Sequence, residues 1–298
     1  MIIRLMKIPL LKNLYVLFTR ICSVLPDSIY LKIIYLIRMK KWLNLKNPQG
    51  FNEKLQWLKI HDPQRTKYAV MVDKAKVRNY ITEKIGVQYL IPLVGIYNNV
   101  EEINAEDLPE QFVVKCTHDS GSVVICHNRK EFDKNKKRQL RKALKRKYYY
   151  ASREYALKFA EPKIIIEKYM SNGNDGLLDY KFYCFRGEPR YLYISGGLTD
   201  HSTARISFYN IDLSDAPFQR SDYLHFDQIP YIPKKYDEML NIARTLSKDI
   251  PFVRVDLYEI EGQVYFSELT FYPCNGMMPF DPPEWDEILG KEIDITNI

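Results

Sequence analysis

Residues 251–273, "PFVRVDLYEIEGQVYFSELTFYP", leave the backbone little choice. Two runs of alternating apolar and polar residues are hinged on Glu261-Gly262, as in an antiparallel hairpin with one face buried. Val253, Val255 and Leu257 point to one side of the first run, and Arg254, Asp256 and Tyr258 to the other. On the return run Tyr265, Ser267, Leu269 and Phe271 share a face, and Phe266, Glu268 and Thr270 share the opposite one. Turn parity decides which charged residues meet. A two-residue Glu261-Gly262 turn puts Asp256 and Glu268 on opposite faces. A three-residue loop of Ile260, Glu261 and Gly262 pairs Glu259 with Gln263, sets Arg254 opposite Glu268 and brings Asp256 to the same side. The second register segregates the apolar residues cleanly and is the one expected.

The same economy of connection recurs upstream. "FVVKCTHDSGSVVIC" (112–126) reads as two short strands around a polar loop, and "YKFYCF" and "RYLYIS" flank Arg186-Gly187. Helices are expected over most of residues 1–46, with breaks near Pro9 and Pro26, and after Asn47-Pro48, with Asn52 as N-cap. Others are expected over "DKAKVRNYITEKIG", ended by Gly86, over the basic stretch 128–147 continuing through "YYYASREYALKFA", and over 234–248. Hairpins rather than strand–helix–strand crossovers join the strands, which argues an α+β chain with mostly antiparallel sheets. The expected division is a basic helical segment 1–46, an N-terminal subdomain 47–110, a subdomain 111–170 holding the polar loop and basic helix, and a C-terminal subdomain 171–298.

Net charge is +7, unevenly spread. Residues 1–46 carry nine Lys/Arg against Asp27 alone, and residues 128–147 carry eleven against Glu131 and Asp133, so the remainder is acidic. The five cysteines (Cys22, Cys116, Cys126, Cys184, Cys274) are scattered and form no CxxC, which speaks against a disulfide framework or zinc knuckle and for a reducing, cytoplasmic setting. Arg4, Lys7, Lys12 and Arg20 interrupt any secretory signal core, and "SIYLKIIYLI" contains Lys32 and is too short to span a bilayer. The N-terminal segment therefore either packs on the body as an ordinary helix or lies on an anionic membrane surface. Aromatic residues cluster with the basic ones only at Tyr148-Tyr149-Tyr150, so no nucleic acid partner is expected.

Two carboxylates brought together with a single arginine repel unless a cation sits between them. Hard oxygen ligands with no nearby His or Cys suit Mg²⁺, although a structural ion cluster reads equally well from spacing alone. Lys115 at a strand end, beside Ser120-Gly121-Ser122, has the chemistry of a phosphate site: small residues let backbone N–H groups approach, and the ammonium neutralises charge. Gly121 serves a plain hairpin equally well, and the spacing is not that of a P-loop.

Taken together, "FNEKLQWLKI", "QFVVKCTHDSGSVVIC", "PKIIIEKYM", "DYKFYCFRGEP" and "ELTFYPCNG" resemble the TupA-like branch of the ATP-grasp superfamily, named for teichuronopeptide synthesis, from about Leu45 to Lys291. The resemblance implies ATP clamped between two α+β subdomains. Lys115 would contact the α/β phosphates, and Ser120, Gly121 and Ser122 would form the loop closing over them. Glu167, Lys168 and the backbone of Tyr169 and Met170 would form the adenine hinge, with Lys181 a second phosphate-side lysine. Asp256 and Glu268 would hold Mg²⁺, and Arg254 would stabilise the transferring phosphoryl group. Where such enzymes commonly carry Asn two residues after the second metal carboxylate, this chain has Thr270, which leaves Asn275 as the substitute third ligand.

The implied reaction is amide formation through an acylphosphate, in which no Ser–His or Cys–His nucleophile is required. Cys116 reads as core, and His118 and Asp119 as loop residues able to meet substrate. The branch is associated with cell-surface polysaccharide, so the implied partners are a uronic acid of a capsule or O-antigen repeat and an amine: amino acid, amino sugar or amino alcohol. The 128–147 helix would attract an anionic sugar chain, a lipid-linked intermediate or the inner membrane face, or is simply a solvated basic face. The alternatives are a kinase using the same clamp, a glycosyltransferase, for which "YNIDLSD" supplies no DxD, and a catalytically silent nucleotide-binding assembly protein.

Overall fold

The computed structural model describes residues 24–172, 177–197, 203–296 and 298. The expectations for residues 1–23, including the break near Pro9, lie outside them. Eight α-helices are described: α1 Asp27–Met39, α2 Phe51–His61, α3 Ala69–Val72, α4 Val77–Lys84, α5 Lys134–Leu144, α6 Tyr149–Ser152, α7 Tyr236–Ser247 and α8 Trp285–Glu292. The strands are β1 Leu93–Tyr97, β2 Phe112–Cys116, β3 Val124–Cys126, β4 Ile164–Lys168, β5 Asp179–Phe185, β6 Glu188–Gly196, β7 Arg205–Asn210, β8 Gln219–Arg220, β9 Val253–Ile260, β10 Gln263–Thr270 and β11 Phe280–Asp281.

They form two main sheets. The smaller has the order β1-β4-β2-β3, the larger β10-β9-β5-β6-β7, and every neighbouring pair in both is antiparallel. In the smaller sheet Phe112, Val114, Cys116, Ile164 and Ile166 point inward against Leu140 and Ala143 of α5. The alternate residues Val113, Lys115 and Ile125 are left half-buried on the other face. In the larger sheet Phe182, Ile194, Val255 and Leu257 pack with Met239, Ile242, Ala243 and Leu246 of α7. The opposite face carries Lys181, Arg254 and Asp256 beside the buried aromatic residues Tyr183, Tyr193 and Phe208.

Both central hairpins turn on a residue and a glycine with positive φ: Arg186 (48°) with Gly187 (93°), and Glu261 (52°) with Gly262 (78°). Such two-residue turns match the twist of the flanking strands. The expected three-residue loop is thus corrected: Ile260 pairs directly with Gln263.

Three further expectations change. The helix after Pro48 starts at Phe51 with Gly50 as N-cap, while Asn52 is buried inside it. The Asn52 amide donates to the Met278 carbonyl and its oxygen accepts the Met278 N–H, both far along the chain. The basic helix stops at Leu144, one residue beyond Ala143, its last residue packed fully inside. Beyond it come only the short α6 and a 3₁₀ turn, separated by Arg153 in the left-handed region (φ 57°). Finally, β1 lies before the expected boundary at 110/111 yet hydrogen-bonds to β4, so the sheet takes in residues on both sides of it.

Candidate active site

A two-residue turn alone would have sent Asp256 and Glu268 to opposite faces. A β-bulge at Ser267 restores the match: Phe266 pairs with Leu257, the ladder then slips by one, and Glu268 pairs with Asp256 and Thr270 with Arg254. Arg254 therefore lies opposite Thr270 rather than opposite Glu268. The two carboxylates share a face, as expected, by a different route.

Around them the larger sheet assembles a charged cluster. Arg254 Nε and Nη2 donate to the two oxygens of Asp256 at 2.7 and 2.6 Å, and Nη2 also reaches Glu268 Oε1 at 3.1 Å and Thr270 Oγ1 at 3.0 Å. Lys181, opposite Asp256 on β5, puts its ammonium 2.9 Å from Asp179 and 3.4 Å from Asp256. Asp256 is 1% exposed, whereas the Glu268 side chain is 47% exposed. Burial pushes the Asp256 carboxyl above its ordinary value, and Arg254 and Lys181 pull back only part of that. Burial pushes Glu268 the same way, but Arg254, Lys74 and Lys181 outweigh it and hold its carboxyl below the usual range.

The smaller sheet supplies the second half. Lys115 reaches diagonally across to Glu167 at 2.9 Å, and Glu167 also takes Arg78 of α4 at 3.1 Å. Glu167 thus points along the strand face to two cations. Lys168 is exposed, and its N–H is used by the Pro92 carbonyl at 2.9 Å. A cavity of about 450 Å³ opens beside Lys168 and Tyr169, lined also by Pro92, Leu93 and Gln111. Met170 follows, half-buried. In the loop, Ser120 and Gly121 are exposed; Gly121 has φ 89° with open space where a Cβ would stand. Ser122 is committed to the loop itself, accepting the Cys116 N–H at 3.1 Å and donating to Asp119. His118 and Asp119 are buried, the former against the Arg146 carbonyl at 3.0 Å, so neither is placed to meet substrate. Cys116 is core.

Several groups escaped the sequence reading. Lys74 donates to the Asp119 carbonyl at 2.5 Å, and its charge also acts on Glu268. Lys59, fully buried on α2, donates to the Ser152 carbonyl at 2.9 Å and to the carbonyl and side-chain oxygens of Asn275 at 3.0 and 2.5 Å. That contact corrects Asn275: its side-chain oxygen serves Lys59, and the third position near Glu268 is filled by the Thr270 hydroxyl at 3.2 Å. The charges of Lys59 and Glu268 act on Glu154, and burial drives Glu154 and Lys59 toward their neutral forms. Arg220 adds a second guanidinium, bonded to Tyr193 at 3.0 Å and to both oxygens of Asp222. Apart from Arg220 with Asp222 and Thr270 with Glu268, each of these contacts joins distant parts of the chain, and no local pattern announces them.

The donor set can be tested against Mg²⁺. Asp256, Glu268 and Thr270 offer oxygens only, which suits a hard cation. Among the described residues no group of three or more His, Cys, Asp or Glu side chains forms a complete cage. Mg²⁺ needs none, because it keeps waters and takes phosphate oxygens beside one or two carboxylates. The residues fit.

A family model described as TupA-like ATP-grasp matches residues 53–294. No curated protein matches the chain. Among solved structures it is similar to D-alanine–D-alanine ligase from Bacillus anthracis complexed with ATP (15% identity, 75% of this chain and 57% of that one, TM-score 0.39). It is also similar to the ATP-grasp ligase PsnB complexed with minimal precursor (10%, 74% and 58%, 0.39) and to D-alanine–D-alanine ligase from Helicobacter pylori (16%, 76% and 61%, 0.40). The chain spans less than two thirds of the length of each of these three.

Proposed function

This chain belongs to the TupA-like ATP-grasp family, and on that premise we propose that it is an ATP- and Mg²⁺-dependent ligase joining a carboxylate to an amine. The observation that carries the proposal is the cross-strand pair Asp256–Glu268, flanked by Arg254 and Lys181. Asp256 and Glu268 would hold the metal, which supplies charge neutralisation at the phosphate oxygens when bound. Lys115 and Lys181 neutralise phosphate charge from the two sheets. The backbone of Tyr169 and Met170 meets the adenine. Arg254, already oriented by Asp256, presents its guanidinium where negative charge builds on the phosphoryl group.

In this reading an oxygen of the acceptor carboxylate attacks the γ-phosphorus, the bond to the bridging oxygen breaks, and ADP leaves an acyl phosphate behind. The amine then attacks the acyl carbon, inorganic phosphate departs, and the amine nitrogen loses a proton. The protein's part is alignment and electrostatics, with no covalent enzyme intermediate. The carboxylate would belong to a uronic acid of a capsular or O-antigen polysaccharide or its precursor, and the amine to an amino acid, amino sugar or amino alcohol. The exposed basic side chains of α5, among them Lys134, Arg138, Arg141 and Lys142, support an anionic saccharide partner.

The test is ADP release with Mg-ATP, a uronic-acid acceptor and pooled amines. Release requiring both carboxylate and amine is expected. Release with an alcohol acceptor alone would make the protein a kinase, and no ATP consumption with any acceptor would refute the ligase reading.

A further inference from the structure

Helix α1 is apolar on two sides. Its inner face buries Tyr30, Leu31, Ile34 and Tyr35 in a small core with Leu43 and Met277. Ile29, Ile33 and Ile37, spaced four apart, form a second stripe on the outside, with Ile29 46% and Ile37 44% exposed. Beyond the two helix ends Val24 is 85% and Trp42 77% exposed. A second apolar stripe on the outer side of a helix calls for a covering partner or lipid, and no other described element covers this one.

The rim decides between occupants. Lys32, Arg38, Lys40 and Lys41 are exposed beside the stripe, and the one acidic side chain of the helix, Asp27, is occupied by Tyr149 and Arg153. An apolar stripe with a cationic border and an exposed tryptophan is the chemistry of a helix lying in the headgroup layer of an anionic bilayer. A second copy of the same face would set these cations against one another. Among the described residues no helix is long and apolar enough to cross a membrane, so contact would be at the surface.

We propose that α1 and Trp42 form a docking surface for anionic membrane. The inner side of the same helix holds the loop that leads to Glu154: Tyr30 donates to the Ala151 carbonyl at 3.0 Å, and Asp27 pairs with Arg153 at 3.2 Å. Docking would therefore set the bilayer behind the loop that carries Ala151 and Arg153, and a lipid-linked acceptor would approach from that side. The surface stands independently of the ligase reading, because its test uses neither ATP nor acceptor.

The experiment is co-sedimentation of the full chain with vesicles of phosphatidylcholine, with and without 30% phosphatidylglycerol (about that fraction gives a strongly anionic surface). Binding to the anionic vesicles alone is expected, weakening with salt. The triple variant Ile29→Ser/Ile37→Ser/Trp42→Ser should bind at least about tenfold more weakly at unchanged melting temperature. Should that variant fold poorly, quenching of wild-type tryptophan emission by brominated phosphatidylglycerol serves instead, since Trp57 and Trp285 are packed against the core. Failure to bind anionic vesicles, wild-type binding by the triple variant, absence of quenching, or self-association lost in the triple variant while vesicle binding persists would each overturn the proposal.

Discussion

The two carboxylates of the hairpin should respond very differently to neutralisation. Asp256 is buried, both its oxygens are taken by Arg254, and Lys181 approaches one of them. Asp256→Asn keeps an acceptor but removes the charge that two buried cations need. Breaking a buried pair costs about 3–5 kcal/mol; the burial that raises the Asp256 carboxyl favours a neutral side chain there and, with the retained amide oxygen, places the variant near the lower end. At roughly 2 °C per kcal/mol for a chain of this length, the melting temperature should fall by about 6 °C. Glu268 is half exposed and makes one charged contact at 3.1 Å. Such a pair contributes about 0–1 kcal/mol, so Glu268→Gln should melt within about 2 °C of wild type. Both variants should lose the stabilisation by Mg-ATP, about 2.7 kcal/mol for the wild type at a hundredfold excess over Kd. Differential scanning fluorimetry with and without Mg-ATP reads all three quantities. Equal melting temperatures for the two variants would refute the structural asymmetry. A wild-type Mg-ATP response in either would refute the metal assignment.

Two further outcomes are expected. Burial raises the Glu154 carboxyl above its ordinary 4.5, so its contribution to stability is complete below that value and is lost as pH climbs through the raised one. Glu154→Gln should therefore gain melting temperature relative to wild type from pH 4.5 toward neutrality, and a flat difference would show that Glu154 titrates normally. Deleting Ser267 should iron out the bulge yet keep Glu268 opposite Asp256, because the residue after Phe266 then pairs with Asp256 directly. The deletion costs the hydrogen bond to Tyr258 at 3.1 Å, about 1 kcal/mol, and should retain the Mg-ATP response; losing that response would contradict the register.

The final hairpin shows how much of the site was legible before the coordinates. The turn was written in Glu261-Gly262, but a fixed alternation forced the choice of a longer loop. The better signal was the spacing of buried apolar residues on the return strand: Val264 and Phe266, then Leu269 and Phe271, with a gap of three in a period of two. That gap is the bulge. Arg254, Asp256 and Glu268 are legible because strand alternation orients them, Lys115 because it ends a strand beside a loop of small residues, and Lys181 only through the family resemblance. Lys59, Lys74, Arg78 and Glu154 are not, because their partners lie far away in sequence and on other elements. Arg78 meets Glu167 from 89 residues away, and Lys59 meets Asn275 from 216. Asn275 belongs with these: the family pattern, with Thr270 in place of the usual Asn, points to it as a metal ligand, and nothing local shows that Lys59 occupies its side-chain oxygen.

The sheet order explains why the two carboxylates divide their labour. β9 lies between β5 and β10, so Asp256 has neighbours on both sides, Lys181 across one ladder and Glu268 across the other. A carboxylate in that position can be fixed in direction but only at the expense of being enclosed by cations. β10 is an edge strand, and Glu268 has a partner on one side only. Its side chain is half exposed, and the Lys74 charge acts on it. A cation arriving with phosphate would thus meet one ligand held rigidly and one able to adjust. Any substitution that covers the β10 edge should impair nucleotide binding more than its effect on stability would suggest.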